Sequence, residues 1–285
     1  MIDASTRLCC LIGHPVSHSV SPQMHNAAFR ALNLNYVYLA FDVREMDLEK
    51  AVNGLKAMGS PGFNVTIPHK IKIISFLDEL DESAEKVGAV NTVVIKNGRT
   101  RGYNTDVYGV EETLKGRNLT RTKPAMIIGA GGAAKAAAVA LLELGFRKLI
   151  IANRTIEKAR ELASRIRSMD CEAEYCGLDK AGDLAAGCGI IINATPLGMH
   201  PKTGETPLRS SEIPEDSIVL DMVYNPLKTR FLREAEKAGA EIVSGLEVLV
   251  YQGAKAFELW TGCEAPVDVM REAALKALGV IRDEG

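Results

Sequence analysis

The sequence predicts a two-domain α/β protein: a mostly parallel first domain, a doubly wound second domain, and helices at the end that return to the first. Three observations carry this. Short apolar runs alternate with helix-patterned stretches along most of the chain, the rhythm of βαβ units. One apolar run, Ala125-Met126-Ile127-Ile128, opens into the glycine turn Gly129-Ala130-Gly131-Gly132-Ala133-Ala134, directly before a helix-forming run from Lys135 to Leu144. After the last apolar run near 240–243, two helical stretches follow near 247–261 and 266–281 with no strand of their own. The chain has 285 residues, which suits about two domains of roughly 150 residues.

The first hundred residues read in order as strand Leu8 to Ile12, helix Pro22 to Leu32, strand Tyr36 to Phe41 and helix Glu45 to Met58. Then come strand Phe63 to Thr66, a helix near His69 to Leu77, and strand Val90 to Lys96. No glycine-rich phosphate turn occurs here, so this domain is expected to hold something other than a dinucleotide. Strands near 125–128, 148–152, 172–175, 189–193, 217–221 and 240–243 give the second domain the pattern of a doubly wound, Rossmann-type nucleotide fold. The expected boundaries are 1–106, 107–245 and 246–285.

Composition narrows the partners. Hydrophobic residues are 47% of the chain and charged residues 25%, which supports a large core and argues against disorder. The net charge is −2 with no basic run, so nucleic acid and anionic membrane are not expected partners. No apolar stretch reaches membrane-spanning length, and the residues around Asp3 and Arg7 do not read as a secretory signal, so a cytoplasmic location is expected. The cysteines (Cys9, Cys10, Cys171, Cys176, Cys188 and Cys263) form no Cys-x-x-Cys pair, and the histidines form no helix pair at metal spacing with a nearby acid, so no metal site is expected. No Gly-x-Ser-x-Gly turn is present, which disfavours a serine hydrolase.

Strand, glycine turn, helix, strand is the layout that cradles a dinucleotide pyrophosphate on backbone N–H groups at a helix N-terminus. Where a binder of NAD usually carries an acid for the ribose 2′-hydroxyl, the chain has Asn153 and Arg154, then Thr155. An arginine fork suits a 2′-phosphate, so the cofactor expected is NADP. A solvated surface arginine is the alternative.

Other clusters carry chemistry at strand ends. In His18-Ser19-Val20-Ser21-Pro22, Ser21 reads as an N-cap and Pro22 as the first helical residue; two hydroxyls there suit a carboxylate, and taken alone a plain capping motif is the simpler account. In Asn64-Val65-Thr66-Ile67-Pro68-His69-Lys70, Asn64 and Thr66 alternate onto one face. Lys70 is expected in the first turn of a helix begun by Pro68, where the dipole disfavours a cation and eases loss of its proton. Swinging into solvent is the alternative for Lys70. Gly102-Tyr103-Asn104-Thr105-Asp106 and Asn91-Thr92 offer groups for a polyol, and Asp106 could hold Lys70, although a turn and a helix cap also account for them. Asn193 to Met199 and Asp221-Met222-Val223-Tyr224-Asn225-Pro226 end buried strands at the expected nucleotide cleft, and Tyr251-Gln252-Gly253 lies in the closing helices.

In this order, over nearly the whole chain, these motifs resemble the shikimate dehydrogenase family. The resemblance implies NADP-linked interconversion of shikimate and 3-dehydroshikimate in aromatic amino-acid biosynthesis, by a monomer or homodimer whose partner is a small-molecule substrate. It implies that Ser19 and Ser21 hold the substrate carboxylate, while Asn64, Thr66, Asn91, Asp106, Tyr224 and Gln252 bind its hydroxyls and ring. Lys70 would be the acid/base, with Asp106 beside it. Gly129, Ala130, Gly131, Gly132 and Ala133 would hold the pyrophosphate, and Asn153, Arg154, Thr155 and Lys158 the 2′-phosphate. Glu82, Met222 and Gly245 would line the cofactor side. Ala134 departs from a strict glycine fingerprint, and Val107-Tyr108 is bulky for the residues after Asp106. A quinate/shikimate dehydrogenase of broader substrate or cofactor use, and a non-catalytic sensor of NADP or a metabolite, are the alternatives.

Overall fold

The computed structural model describes residues 2–281. The chain forms two compact units, Met1–Gly109 with Val250–Gly285, and Val110–Leu249.

The first unit begins β1 (Arg7–Gly13), α1 (Ser21–Ala31), β2 (Tyr36–Asp42), α2 (Leu48–Ala57) and β3 (Gly62–Val65). It continues β4 (Glu79–Leu80), α3 (Glu82–Val87), β5 (Thr92–Lys96), β6 (Arg99–Tyr103) and α4 (Thr105–Leu114). Its six-stranded sheet has the order β2-β1-β3-β5-β6-β4. β1 pairs in parallel with β2 and β3, whereas β5 runs antiparallel to β3 and forms an antiparallel hairpin with β6. Central β1 is buried from Cys9 to Gly13, as expected of a strand with both neighbours paired. α1 turns Met24, His25, Ala28 and Phe29 inward.

One close approach fixes the middle of this sheet. Trp260 Nε1 donates to Val93 O at 3.0 Å. A Cβ at Gly62 would stand 2.2 Å from Val93 O and 2.3 Å from Trp260 Nε1, so only glycine fits beneath that bond. Gly62→Ala is therefore expected to destabilise the protein by about 1–3 kcal/mol through overpacking. A lowered urea midpoint would show it; an unchanged midpoint would mean that the indole moves aside freely.

Two expectations for this unit need correction. The helix expected near His69 to Leu77 is a turn followed by a short 3-10 helix, Lys72–Phe76. His69 N–H closes the turn onto Thr66 O at 3.0 Å, and the β-branched residues Ile71, Ile73 and Ile74 favour no α-helix there. Glu45 to Met58 divides into a 3-10 turn, Glu45–Asp47, and α2. β4 and α3 have no counterpart among the elements expected from the sequence.

The second unit holds β7 (Ala125–Ile128), α5 (Gly132–Glu143), β8 (Lys148–Ala152), α6 (Ile156–Arg167), β9 (Glu172–Cys176), α7 (Ala181–Ala185), β10 (Ile190–Asn193), β11 (Ile218–Asp221), α8 (Arg230–Lys237) and β12 (Glu241–Ser244). All strands of its six-stranded sheet are parallel, in the order β12-β11-β10-β7-β8-β9. The order reverses between β7 and β10, the switch point where such sheets take a ligand. β7, β10 and β11 are buried throughout, and alanines at 134, 136, 137, 138 and 140 bring α5 close against the sheet.

α9 (Gly245–Thr261) and α10 (Val267–Ala277) close the chain, and α10 packs on α1. The units divide inside α4 and α9, after Gly109 and after Leu249, a few residues beyond the boundaries expected at 106 and 245. Val107 is buried and Tyr108 carries Lys255 Nζ 5.1 Å from its ring centroid, so both bulky residues pack within the first unit. Cys9, Cys10, Cys171, Cys176 and Cys188 are buried and Cys263 is half-buried, all as free thiols. No described helix is long and apolar enough to cross a membrane, and no described cluster of three or more His, Cys, Asp or Glu side chains could hold a metal ion.

Candidate active site

In the first unit, most of the polar residues singled out in the sequence form one hydrogen-bonded cluster. Lys70 Nζ donates to Asp106 Oδ2 at 2.6 Å, with 19% and 12% of the two side chains exposed, so the pair is shielded yet reachable. Asp106 lies in the first turn of α4, where the dipole favours an anion. Lys70 sits in the turn after β3 rather than in a helix, so the expected dipole argument for an uncomfortable lysine does not hold. Its environment is set by Asp106 instead, and its carbonyl accepts Val90 N–H at 2.7 Å, tying the turn to the segment that carries Asn91.

Asn91 organises the centre. Its Nδ2 donates to Asp106 Oδ1 at 2.8 Å and reaches Gln252 Oε1 at 3.5 Å. Its Oδ1 accepts Thr105 N–H at 2.7 Å and Thr105 Oγ1 at 3.1 Å. Asn64 Nδ2 donates to Thr92 Oγ1 at 2.9 Å and Asn91 O at 3.2 Å. That carbonyl can only accept, so it takes the Asn64 amide nitrogen, and the Asn64 oxygen turns to the Tyr38 hydroxyl, which donates at 2.7 Å. Tyr38 is fully buried and stacked on His25 at 4.4 Å; burial lowers the His25 pKa to about 3 and keeps the imidazole neutral. Sequence reasoning missed Tyr38, which reads as an ordinary core tyrosine.

Ser19 and Ser21 meet at the start of α1, but not as expected. Ser21 is the first helical residue and makes no cap; its N–H donates to Ser19 Oγ at 3.3 Å, because Val20 occupies the capping position. Thr66 is half-buried just past β3, its N–H donating to Ile12 O at 2.9 Å. Glu82 is exposed at the start of α3, paired with Lys86 at 2.9 Å. Tyr224 lies in the second unit, where burial raises its pKa.

The second unit presents its groups at the carboxyl ends of β7, β8, β10 and β11. Gly129 has φ +123°, and a Cβ on it would stand 2.9 Å from Ala194 O. Ala130 follows, and Gly131 stands at the N-cap of α5 with no side-chain cap; the first intrahelical bond is Lys135 N–H to Gly131 O at 3.0 Å, so the N–H groups of Gly132 and Ala133 are left to a ligand. Ala134 is buried without strain where the strict pattern has glycine. After β8, Asn153 Nδ2 donates to Thr155 O at 2.8 Å and shapes the turn into α6. Arg154, Thr155 and Lys158 are exposed there, with no carboxylate among residues 153–156. Free helix N–H groups, a backbone with room to approach and a cationic strand end fit a dinucleotide carrying an extra phosphate.

Asp221, also missed as a structural centre, is fully buried at the end of β11. It accepts Thr229 Oγ1 at 2.5 Å, Asn193 Nδ2 at 2.9 Å and Val223 N–H at 3.0 Å. Met222 follows it, and a Cβ at Gly245 would stand 2.5 Å from Asp221 O, so Gly245 is held to glycine by this backbone. Burial pushes the Asp221 pKa from 3.8 up to about 6. A raised carboxyl pKa favours the neutral form in the fold. Its stabilising contribution is full below about pH 4 and lost as pH rises through about 6, on the order of 3 kcal/mol. The stability of the protein relative to Asp221→Asn should fall by that order between pH 4 and 7 in urea titrations. A difference flat with pH would show that the carboxyl does not titrate in this range.

A parallel sheet reversing beside a glycine turn, in a chain that also carries a shielded lysine–carboxylate pair among amides, defines a two-domain dinucleotide-linked oxidoreductase for small hydroxylated molecules. Comparison with known proteins narrows the class. Residues 11–93 match the shikimate dehydrogenase substrate binding domain, 112–201 the shikimate/quinate 5-dehydrogenase model, and 245–275 the shikimate 5′-dehydrogenase C-terminal domain. The NADP(+) shikimate dehydrogenase of Methanopyrus kandleri is 50% identical over 285 residues, 97% of this chain and 98% of that one. A crystal structure of shikimate dehydrogenase in complex with NADP+ has a TM-score of 0.91 at 47% identity, covering 98% of each chain. The Thermus thermophilus enzyme in complex with NADP(H) and shikimate has a TM-score of 0.87 at 37% identity, covering 95% of this chain and 100% of that one. The chain belongs to the shikimate dehydrogenase family.

Proposed function

We propose that the protein is an NADP-dependent shikimate dehydrogenase, interconverting shikimate and 3-dehydroshikimate. The observation that carries this is the Lys70–Asp106 pair at 2.6 Å, joined through Asn91 to Gln252 and set among amides and hydroxyls that suit a polyol. NADP, when bound, takes up the hydride from the carbinol carbon. The chain supplies the rest. Lys70 Nζ, as the amine, takes the proton of the reacting hydroxyl in the oxidation and, as the ammonium, returns it in the reduction, while Asp106 holds that nitrogen in place. Asn64, Thr66, Asn91, Tyr224 and Gln252 orient the hydroxyls and ring, and Ser19 with Ser21 receives the carboxylate. Gly129 to Ala133 hold the pyrophosphate, Asn153, Arg154, Thr155 and Lys158 the 2′-phosphate, and Glu82, Met222 and Gly245 border the cofactor. The same reading makes this a cytoplasmic enzyme, monomeric or homodimeric.

The test is the absorbance of reduced cofactor, with shikimate and quinate each offered with NADP and with NAD. Shikimate with NADP is expected to be the best pair. Comparable rates with quinate or NAD would support the broader enzyme that the shikimate/quinate model also describes. No turnover in any combination would favour a sensor.

A further inference from the structure

The switch point contains a hydrogen-bonded bracket built around one buried amide. Asn193 is fully buried at the end of β10. Its Oδ1 accepts Thr195 N–H at 3.1 Å and Thr195 Oγ1 at 2.6 Å. Its Nδ2 donates to Asp221 Oδ1 at 2.9 Å and to Leu197 O at 3.3 Å. Leu197 N–H in turn donates to Thr195 Oγ1 at 3.2 Å, so the loop from 194 to 197 closes around this one amide. The main chain is tied on both sides as well: Ala194 N–H donates to Ile128 O at 2.8 Å, and Met222 N–H to Asn193 O at 2.9 Å.

That loop is the wall of the glycine turn. Ala194 O and Thr195 Cγ2 lie 2.9 and 3.1 Å from where a Cβ on Gly129 would be. A shift of the 194–197 loop therefore displaces Gly129 or opens a gap behind it. Asp221 anchors the other end, through Thr229, whose Oγ1 also caps α8 by accepting Leu232 N–H at 3.2 Å. A fully buried carboxyl group held by three donors, none of them a cation, is a costly way to finish a strand. What it secures here is the position of the wall.

We propose that Asn193 and Asp221 are positioning residues for the dinucleotide: they set the 194–197 loop, the loop sets Gly129, and Gly129 sets the pyrophosphate. This rests on reading the glycine turn as the cofactor loop. The pyrophosphate is common to NADP and NAD, so disturbing the bracket must weaken both alike, unlike a change at the 2′-phosphate patch.

The experiment is calorimetric titration of the full chain with NADP, with NAD and with shikimate, for the unaltered protein and Asn193→Ala. Loss of the bracket should weaken NADP and NAD by the same factor, about tenfold, with shikimate affinity unchanged because its residues lie mainly in the first unit. Values within twofold for both cofactors, or a loss confined to NADP, would overturn the assignment. A general loss including shikimate would mark a merely structural role and overturn it too. If Asn193→Ala does not fold, Asn193→Asp decides. It keeps the acceptor for Thr195 but sets a second carboxylate against Asp221, so both cofactors should weaken, and adding Asp221→Asn should restore part of the loss. No restoration would overturn the pairing. Failure of the unaltered protein to bind NADP would instead overturn the proposed function, which separates the two ideas.

Discussion

Lys70→Ala is expected to lower kcat by about 10²-fold or more while changing shikimate affinity only modestly. The ammonium at 2.6 Å from Asp106 is the group placed to exchange a proton with the substrate hydroxyl. The surrounding amides that would bind the ring do not depend on it: Asn91 still donates to Asp106 Oδ1 and accepts from Thr105, and Asn64 remains held by Tyr38 and Thr92. Asp106 loses its cation but keeps the Asn91 donor and its place in the first turn of α4, so the cluster should stay folded. The split matters more than the size of the loss. A fall in kcat with shikimate affinity retained in calorimetry assigns Lys70 to the chemical step. A fall in affinity with kcat preserved would make it a binding residue, and near-normal turnover would remove it from both roles.

What can be read from the sequence follows from where each signal is stored. β7, β8, β10 and β11 fall where the apolar runs place them, because a parallel strand covered on both faces has an apolar middle, with polar residues only at its ends. β4 and α3 leave no such mark, because Glu79–Leu80 and Glu82–Val87 are too short to show a period. The turn holding Lys70 reads as a helix because Pro68 looks like a helix start, while the bond from His69 N–H to Thr66 O closes a turn there instead. The site residues split the same way. Asn64, Lys70, Asn91 and Asp106 stand out as polar groups at the edges of apolar runs. Tyr38 does not, since its role depends on a bond to Asn64, 26 residues away in sequence. Thr229 is a similar case: it looks like a helix cap and is one, but its second bond, to Asp221, is visible only in three dimensions.

Arg154→Ala should weaken NADP by about 10- to 10²-fold and leave NAD nearly unchanged, the range expected for loss of a charge-assisted bond to a phosphate. The structure sharpens the reason. The turn after β8 is shaped without the arginine, by Asn153 Nδ2 donating to Thr155 O at 2.8 Å, so truncation should remove charge without rebuilding the turn. Arg154 is exposed, as are Thr155 and Lys158 beside it, so Lys158 should retain part of the attraction and the loss should be greatest at low ionic strength. A second change tests the complementary half of the idea. Asn153→Asp places a carboxylate at the end of β8, where it would repel a 2′-phosphate and accept from a ribose hydroxyl, so combined with Arg154→Ala it should turn the preference toward NAD. The ratio of kcat/KM for the two cofactors reads both steps. Equal weakening of NADP and NAD by Arg154→Ala would mean that the guanidinium serves the turn and not the phosphate, and the choice of NADP would then need another source among the groups flanking α6.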